Sequence, residues 1–152
     1  MSSAAERLDD TVIQCVTFTL GEETYGIDVM RVQEVLRMSD IAPVPSAPPF
    51  VVGIINLRGN VVTVIDARGR LGLPAKAPDD ATRIVILETA RHVVGLLVDG
   101  VTEVVEFPRS EIEATPNVGE EGGPYIEGVF ARDDDLLILL DLNRFLVEDE
   151  IG

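Results

Sequence analysis

The side chains that could do chemistry are few and scattered along the 152 residues. His92 is the single histidine, set between Arg91 and Val93. An isolated imidazole beside a cation reads as a hairpin residue rather than a proton shuttle. Cys15 is the single cysteine, so it can make neither an internal disulfide nor a multi-thiolate metal site. It lies in an apolar run with no adjacent cation to activate it, and reads as a small buried hydrophobe. Asp133-Asp134-Asp135 has the charge for a hard cation but not the spaced oxygens of a calcium loop, so it reads as an acidic hairpin tip. Gly119-Glu120-Glu121-Gly122-Gly123 is glycine-rich yet anionic, which repels phosphate, and reads as a loop. The sequence holds no G-x-x-x-x-G-K-[ST], H-E-x-x-H or G-x-S-x-G motif. No catalytic, cofactor or metal site is expected.

One cation stands out. Asn56-Leu57-Arg58-Gly59 forms a turn between two apolar runs in a chain of net charge −15. Arg58 is either a solvated cation beside a local carboxylate or a partner contact, because its planar five-donor fork is favoured at protein interfaces. Glu34 either sits on a solvated strand face or aims Arg58.

The excess of acid excludes nucleic acid, where affinity comes from neutralising phosphates, and disfavours anionic membrane surfaces. Residues 81–152 carry 5 basic and 16 acidic side chains, residues 1–80 carry 7 and 11. Protein is the expected partner. No apolar run reaches the ~18 residues of a membrane span and no secretory segment is evident, so a cytoplasmic location and no membrane insertion are expected. A chain of this size buries roughly 68–70% of its unfolded surface. Its 46% hydrophobic content, rich in Val, Ile and Leu and free of Trp, favours strands.

Those strands follow from alternation and turn residues. Residues 1–11 read as a loose tail. Val12–Leu20 reads as a strand with Val16, Phe18 and Leu20 on one face, returned by the Gly21–Thr24 turn into Tyr25-Gly26-Ile27. Asp28–Leu36 reads as a short helical turn running into a strand. Pro43, Pro45, Pro48 and Pro49 imply a stiff extended connection. Gly53–Asp66 is a hairpin whose Asp66 caps a short helix through Leu71, and residues 72–82 are linker-like. Strands are expected near 83–89, 92–98, 101–107, 125–131 and 136–140, with a capped turn from Ser110 and a final helix, 142–148, capped by Asp141.

The chain also repeats itself. Tyr25–Leu36 aligns without gaps on Val94–Val105, and Gly53–Leu71 aligns on Gly128–Leu146. The apolar runs, the glycine and the capping aspartate recur, whereas Asn56-Leu57-Arg58-Gly59 faces Ala131-Arg132-Asp133-Asp134. Folding therefore accounts for the shared features and leaves the tip chemistry free for another task. The expected architecture is a single all-β domain over 12–152, with twin small barrels near 12–75 and 82–140 sharing a core, and a C-terminal helix over 141–148.

Phe18-Thr19-Leu20-Gly21, Tyr25-Gly26-Ile27-Asp28, Val32-Gln33-Glu34-Val35, Asn56-Leu57-Arg58-Gly59 and Val98-Asp99-Gly100-Val101, in this order and spacing, resemble the CheW family of chemotaxis coupling proteins over roughly residues 12–148. The resemblance implies two intertwined SH3-like five-stranded barrels with short helices, no catalysis and no cofactor. It implies an adaptor, monomeric when isolated, recruited to membrane-associated receptor arrays. There it joins the cytoplasmic tips of chemoreceptors to the regulatory domain of the histidine kinase CheA. Carried over residue by residue, the receptor groove maps to Val32, Glu34, Gly53, Asn56, Leu57 and Arg58, with Val98, Asp99, Gly100 and Val101 at the junction of the halves. The chain departs from enteric relatives at Glu113 and Val118, where those tend to carry a basic residue and an aromatic. The ring-closing contact with kinase domains is therefore not carried over. Two other readings stay open: the same adaptor in a non-flagellar circuit, and a small-ligand barrel.

Overall fold

The computed structural model describes residues 11–114 and 125–146. Ten strands fall in two five-stranded sheets. They are β1 (Val12–Leu20), β2 (Glu23–Asp28), β3 (Val32–Arg37), β4 (Val51–Leu57), β5 (Asn60–Asp66), β6 (Arg83–Glu88), β7 (Val93–Val98), β8 (Gly100–Pro108), β9 (Ile126–Arg132) and β10 (Asp135–Leu140). Two short helices, α1 (Ala67–Arg70) and α2 (Leu142–Phe145), follow β5 and β10.

The sheet orders are β8-β1-β2-β10-β9 and β3-β6-β7-β5-β4. The two barrels are thus intertwined, but their boundaries differ from the division at 12–75 and 82–140. One barrel, here called central, is an unbroken run from β3 to β7. The other, terminal, barrel combines β1 and β2 with β8, β9 and β10. The repeat is real, but each repeat's first two strands enter the sheet made by the other's last three. Hydrophobic pattern alone does not register such an exchange, because either assignment buries the same side chains.

Each barrel closes in the same way. Beyond β3 the backbone of Ala42 exchanges two hydrogen bonds with Ile54 on β4, at 2.9 and 2.8 Å. Glu113 does the same with Val129 on β9, at 2.8 and 2.9 Å. The residue preceding each bridge partner is a glycine, Gly53 or Gly128. A Cβ at Gly53 would run into the Ala42 carbonyl, and one at Gly128 would lie 2.9 Å from the Glu113 oxygen. Closure therefore requires glycine at both positions.

Val16, Phe18 and Leu20 are buried as expected, and so is Thr17 on the opposite face. Pairing of β1 with β8 shifts register between Val16 and Phe18. At this bulge the Thr17 hydroxyl donates to the Glu103 carbonyl at 2.8 Å and accepts from the Glu103 amide at 3.1 Å. The side chain replaces what the bulge removes from the ladder.

Val29–Arg31 is a 3-10 turn before β3, with the Asp28 carboxylate accepting from the Met30 amide. Asp66 and Asp141 cap α1 and α2. The turn at Arg109–Glu111 starts from Pro108 without a side-chain cap, so Ser110 lies inside it rather than capping it. The glycine-rich loop at 119–123, Val118, residues 147–148 of the final helix and, except for Thr11, the N-terminal tail lie outside the described residues.

The core has three parts. Phe107, Phe130 and Leu139 help to fill the terminal barrel. Val64, Ile84 and Ile86 fill the central one. Between them Phe18, Ile27, Ile65, Leu96 and Phe145 belong to one cluster drawn from both sheets. Gly128→Ala should lower stability by about 1–3 kcal/mol through overpacking against the closing strand, read as a fall in denaturant midpoint. An unchanged midpoint would show that closure does not depend on this glycine.

Candidate functional site

Arg58 and Gly59 form the two-residue loop between β4 and β5, with φ of 51° and 89°. Positive φ at both loop residues is what a tight hairpin needs, and Asn, Asp or Gly normally supply it. At the equivalent tip Asp133 has φ 47°. Both residues bring Cβ close to the following carbonyl there, but the short carboxylate of aspartate can bond locally in compensation and the arginine side chain cannot. Asn56 shapes the turn by accepting a hydrogen bond from the Gly59 amide at 2.9 Å.

The Arg58 guanidinium reaches across the barrel seam to Glu34 on β3. Nη2 pairs with Oε2, and Nη1 lies 3.4 Å from Oε1. The aiming role expected for Glu34 is thus met in the geometry. Arg58 remains 68% exposed at its side chain, so most of its surface stays available. An exposed pair of this kind contributes at most about 1 kcal/mol to stability. Val32 and Val101 are half-buried and both pack against the shared core.

The same end of the central barrel holds a cleft of about 390 Å³, lined by Gln33, Leu57, Arg58, Val61, Arg91 and His92 among others. Arg91 and His92 are exposed and lie in the β6–β7 turn, where the Thr89 hydroxyl accepts from both backbone amides. His92 is a hairpin residue, as its sequence context implies. That it shares a cleft with Arg58 depends on the parallel pairing of β5 with β7, which no local pattern announces.

The second group, Val98 to Val101, carries the chain from the central to the terminal barrel. Val98 is a core residue, 1% exposed. Asp99 is engaged inside the molecule. Arg68 on α1 donates to it from Nε at 2.8 Å and from Nη2 at 2.6 Å, and the Gly21 amide donates at 2.7 Å. These hydrogen bonds, chiefly from Arg68, hold the carboxyl below its ordinary value against the partial burial that would raise it. Arg68 had no signal in the sequence, standing 31 positions from its partner. Val32, Glu34, Asn56 and Leu57 therefore lie at the Arg58 end of the central barrel, Gly53 sits farther along β4 at the closing bridge, and Val98 and Asp99 fasten the junction at the other end of β7.

Cys15 is buried, and that burial, with Asp28 and Glu127 nearby, pushes its thiol up to about 12. Among the described residues no helix is long and apolar enough to cross a membrane.

Comparison with known proteins completes the picture. The CheW-like domain model matches residues 14–150. The chain belongs to the CheW family. It is similar to the chemotaxis protein CheW of Klebsiella aerogenes, 33% identical over 89% of this chain and 82% of that protein. It is similar to the CheW of Bacillus subtilis, 35% identical over 86% of this chain and 85% of the other. The crystal structure of the scaffolding protein TtCheW from Thermoanaerobacter tengcongensis superposes with a TM-score of 0.83 at 34% identity, covering 92% of this chain and 91% of that one. The CheW fold and its role as a chemotaxis scaffold apply to this chain.

Two expectations follow. Asp99→Asn should destabilise the protein by about 1–3 kcal/mol at neutral pH. Because the folded carboxyl titrates below its ordinary value near 4, its contribution is complete above that pH and fades as pH falls through the folded value. Denaturation of variant and wild type should therefore converge in acid, and a constant gap down to pH 2 would refute the pairing. Cys15 should resist iodoacetamide at pH 8 in the native protein and react once unfolded, as mass spectrometry would show.

Proposed function

We propose that this chain is a non-catalytic cytoplasmic adaptor that couples the helical-hairpin tips of chemoreceptors to the regulatory domain of the histidine kinase CheA. The observation that carries the receptor contact is Arg58 itself. A cation occupies a left-handed backbone position that the repeat fills with aspartate, so the residue is kept against local preference. Glu34 holds it toward β3, beside half-buried Val32. A receptor helix laid in this groove would set an apolar face against Val32, Leu57 and Val101, with Arg58 fixing register by charge-assisted hydrogen bonds. Asn56 shapes the tip itself, Gly53 permits the closure of the barrel, and Val98, Asp99 and Gly100 fix the junction between the barrels.

The kinase contact draws support from a different pattern. Among the described residues Val35 and Val61 on the central barrel are exposed at 40% and 69%, and Val104 and Leu136 on the terminal barrel at 55% and 54%. These four occupy two pairs of repeat-equivalent positions, Val35 with Val104 and Val61 with Leu136. Each barrel so presents an apolar strand surface of the same kind, suited to a partner built on the same fold. In that arrangement the isolated protein is a monomer whose location at receptor arrays is set by its partners.

Arg58→Ala should fold with wild-type stability, since the ion pair is exposed, yet lose receptor-dependent stimulation of the kinase in a reconstituted assay. Asp133→Ala, at the equivalent tip, should leave stimulation intact. Full coupling by Arg58→Ala at wild-type protein concentration would remove the receptor assignment. Co-purification from the native cell would name the receptors and the kinase.

A further inference from the structure

We propose that the Arg58 end of the central barrel docks the acidic face of a helical partner through Arg91 and His92 as well as Arg58, and that the matching end of the terminal barrel is charged to exclude that partner. The proposal rests on the receptor reading above and extends it to residues outside the carried-over groove.

The two ends have the same construction. Thr63 pairs with Val94 in parallel between β5 and β7, which sets the β4–β5 tip beside the β6–β7 turn. Ile138 pairs with Tyr25 between β10 and β2, which sets the β9–β10 tip beside the β1–β2 turn. Residue for residue, Arg58 matches Asp133, Asn60 matches Asp135, and Arg91 and His92 match Glu22 and Glu23. Both tips have a positive φ at their first residue, 51° at Arg58 and 47° at Asp133, while at the second residue it is positive at Gly59 and not at Asp134. Folding therefore does not dictate the charge at either end.

The charges differ. At the central end two guanidiniums and an imidazole line one cleft. Among the described residues Glu34 pairs with Arg58, and Glu88 accepts from the Gln33 amide at 2.8 Å and keeps its charge. At the terminal end Glu22, Glu23, Asp133, Asp134 and Asp135 are exposed. In a chain of net charge −15, an end where two guanidiniums offset the neighbouring carboxylates stands apart from the acidic surface elsewhere. Leu57 beside the cations supplies an apolar margin, which fits an amphipathic helix carrying carboxylates better than a free phosphate. Two barrels of one fold would otherwise offer a helix two equivalent seats. Like-charge repulsion at one seat and attraction at the other select a single orientation.

The test uses the full chain and a soluble fragment spanning the signalling tip of a chemoreceptor from the same cell. Arg91→Gln with His92→Gln should weaken binding about five- to tenfold and flatten its dependence on salt. Glu22→Gln with Glu23→Gln should leave affinity unchanged or raise it. A fragment whose acidic tip residues are changed to their amides should bind wild type and the Arg91/His92 variant equally. If Arg58→Ala loses binding while the Arg91/His92 variant keeps wild-type affinity and salt slope, the receptor reading stands and the extended cleft is wrong. If wild type does not bind the fragment at all, the receptor reading falls and this proposal falls with it.

Discussion

Exchange of strands between the two repeats is the constraint on which the rest depends. Neither repeat contains a whole barrel: β1 and β2 need β8 and β10, and β6 and β7 need β3 and β5. The chain must therefore cross between barrels twice, once through Val29–Arg31 and once at Asp99. A barrel of five short strands buries too little surface to be comfortably stable by itself. The crossings bring both sheets onto a shared cluster, from Phe18 and Ile27 in one to Ile65 and Leu96 in the other.

Equivalent residues of the two repeats gather around Arg70. Phe50 and Tyr125 are such a pair, and the Arg70 guanidinium lies 4.6 Å from the first ring and 5.0 Å from the second. Arg70 and its counterpart Phe145 are also joined, by a 2.9 Å hydrogen bond from Nε to the Phe145 carbonyl. The symmetry is broken where function would break it. The Asp99 crossing is fastened by a bidentate arginine, whereas beside the first crossing the Arg31 guanidinium meets the Asn143 amide oxygen at 3.4 Å. Met30 there is 83% exposed. The tips diverge further still, from arginine to aspartate at the first loop residue.

Much of this is legible in the sequence because it is local. β1 begins and ends where alternation places it, and Asp66 and Asp141 cap the helices their positions imply. The repeat distinguishes architectural features from the rest, and so singles out Arg58 by its residue type alone. Family resemblance places Gly53 in the receptor groove. Its geometry adds a reason within the fold, since Gly128 meets the same close backbone approach in the other barrel. What the sequence does not reveal is long-range. The exchange of strands, the Arg68–Asp99 pair and the cleft shared by Arg58 and His92 depend on which strand lies beside which. Side-chain alternation carries no information on that choice.

The order of the sheets also sets the order in which the protein can be made. Translation releases β3 to β7 in one unbroken run, so the central barrel has all its strands before the chain is complete. β1 and β2, made before the central barrel, have no five-stranded sheet to enter until β8, β9 and β10 follow. Through most of synthesis Phe18, Leu20, Tyr25 and Ile27 stay uncovered, which makes the N-terminal hairpin the segment a chaperone has longest to hold.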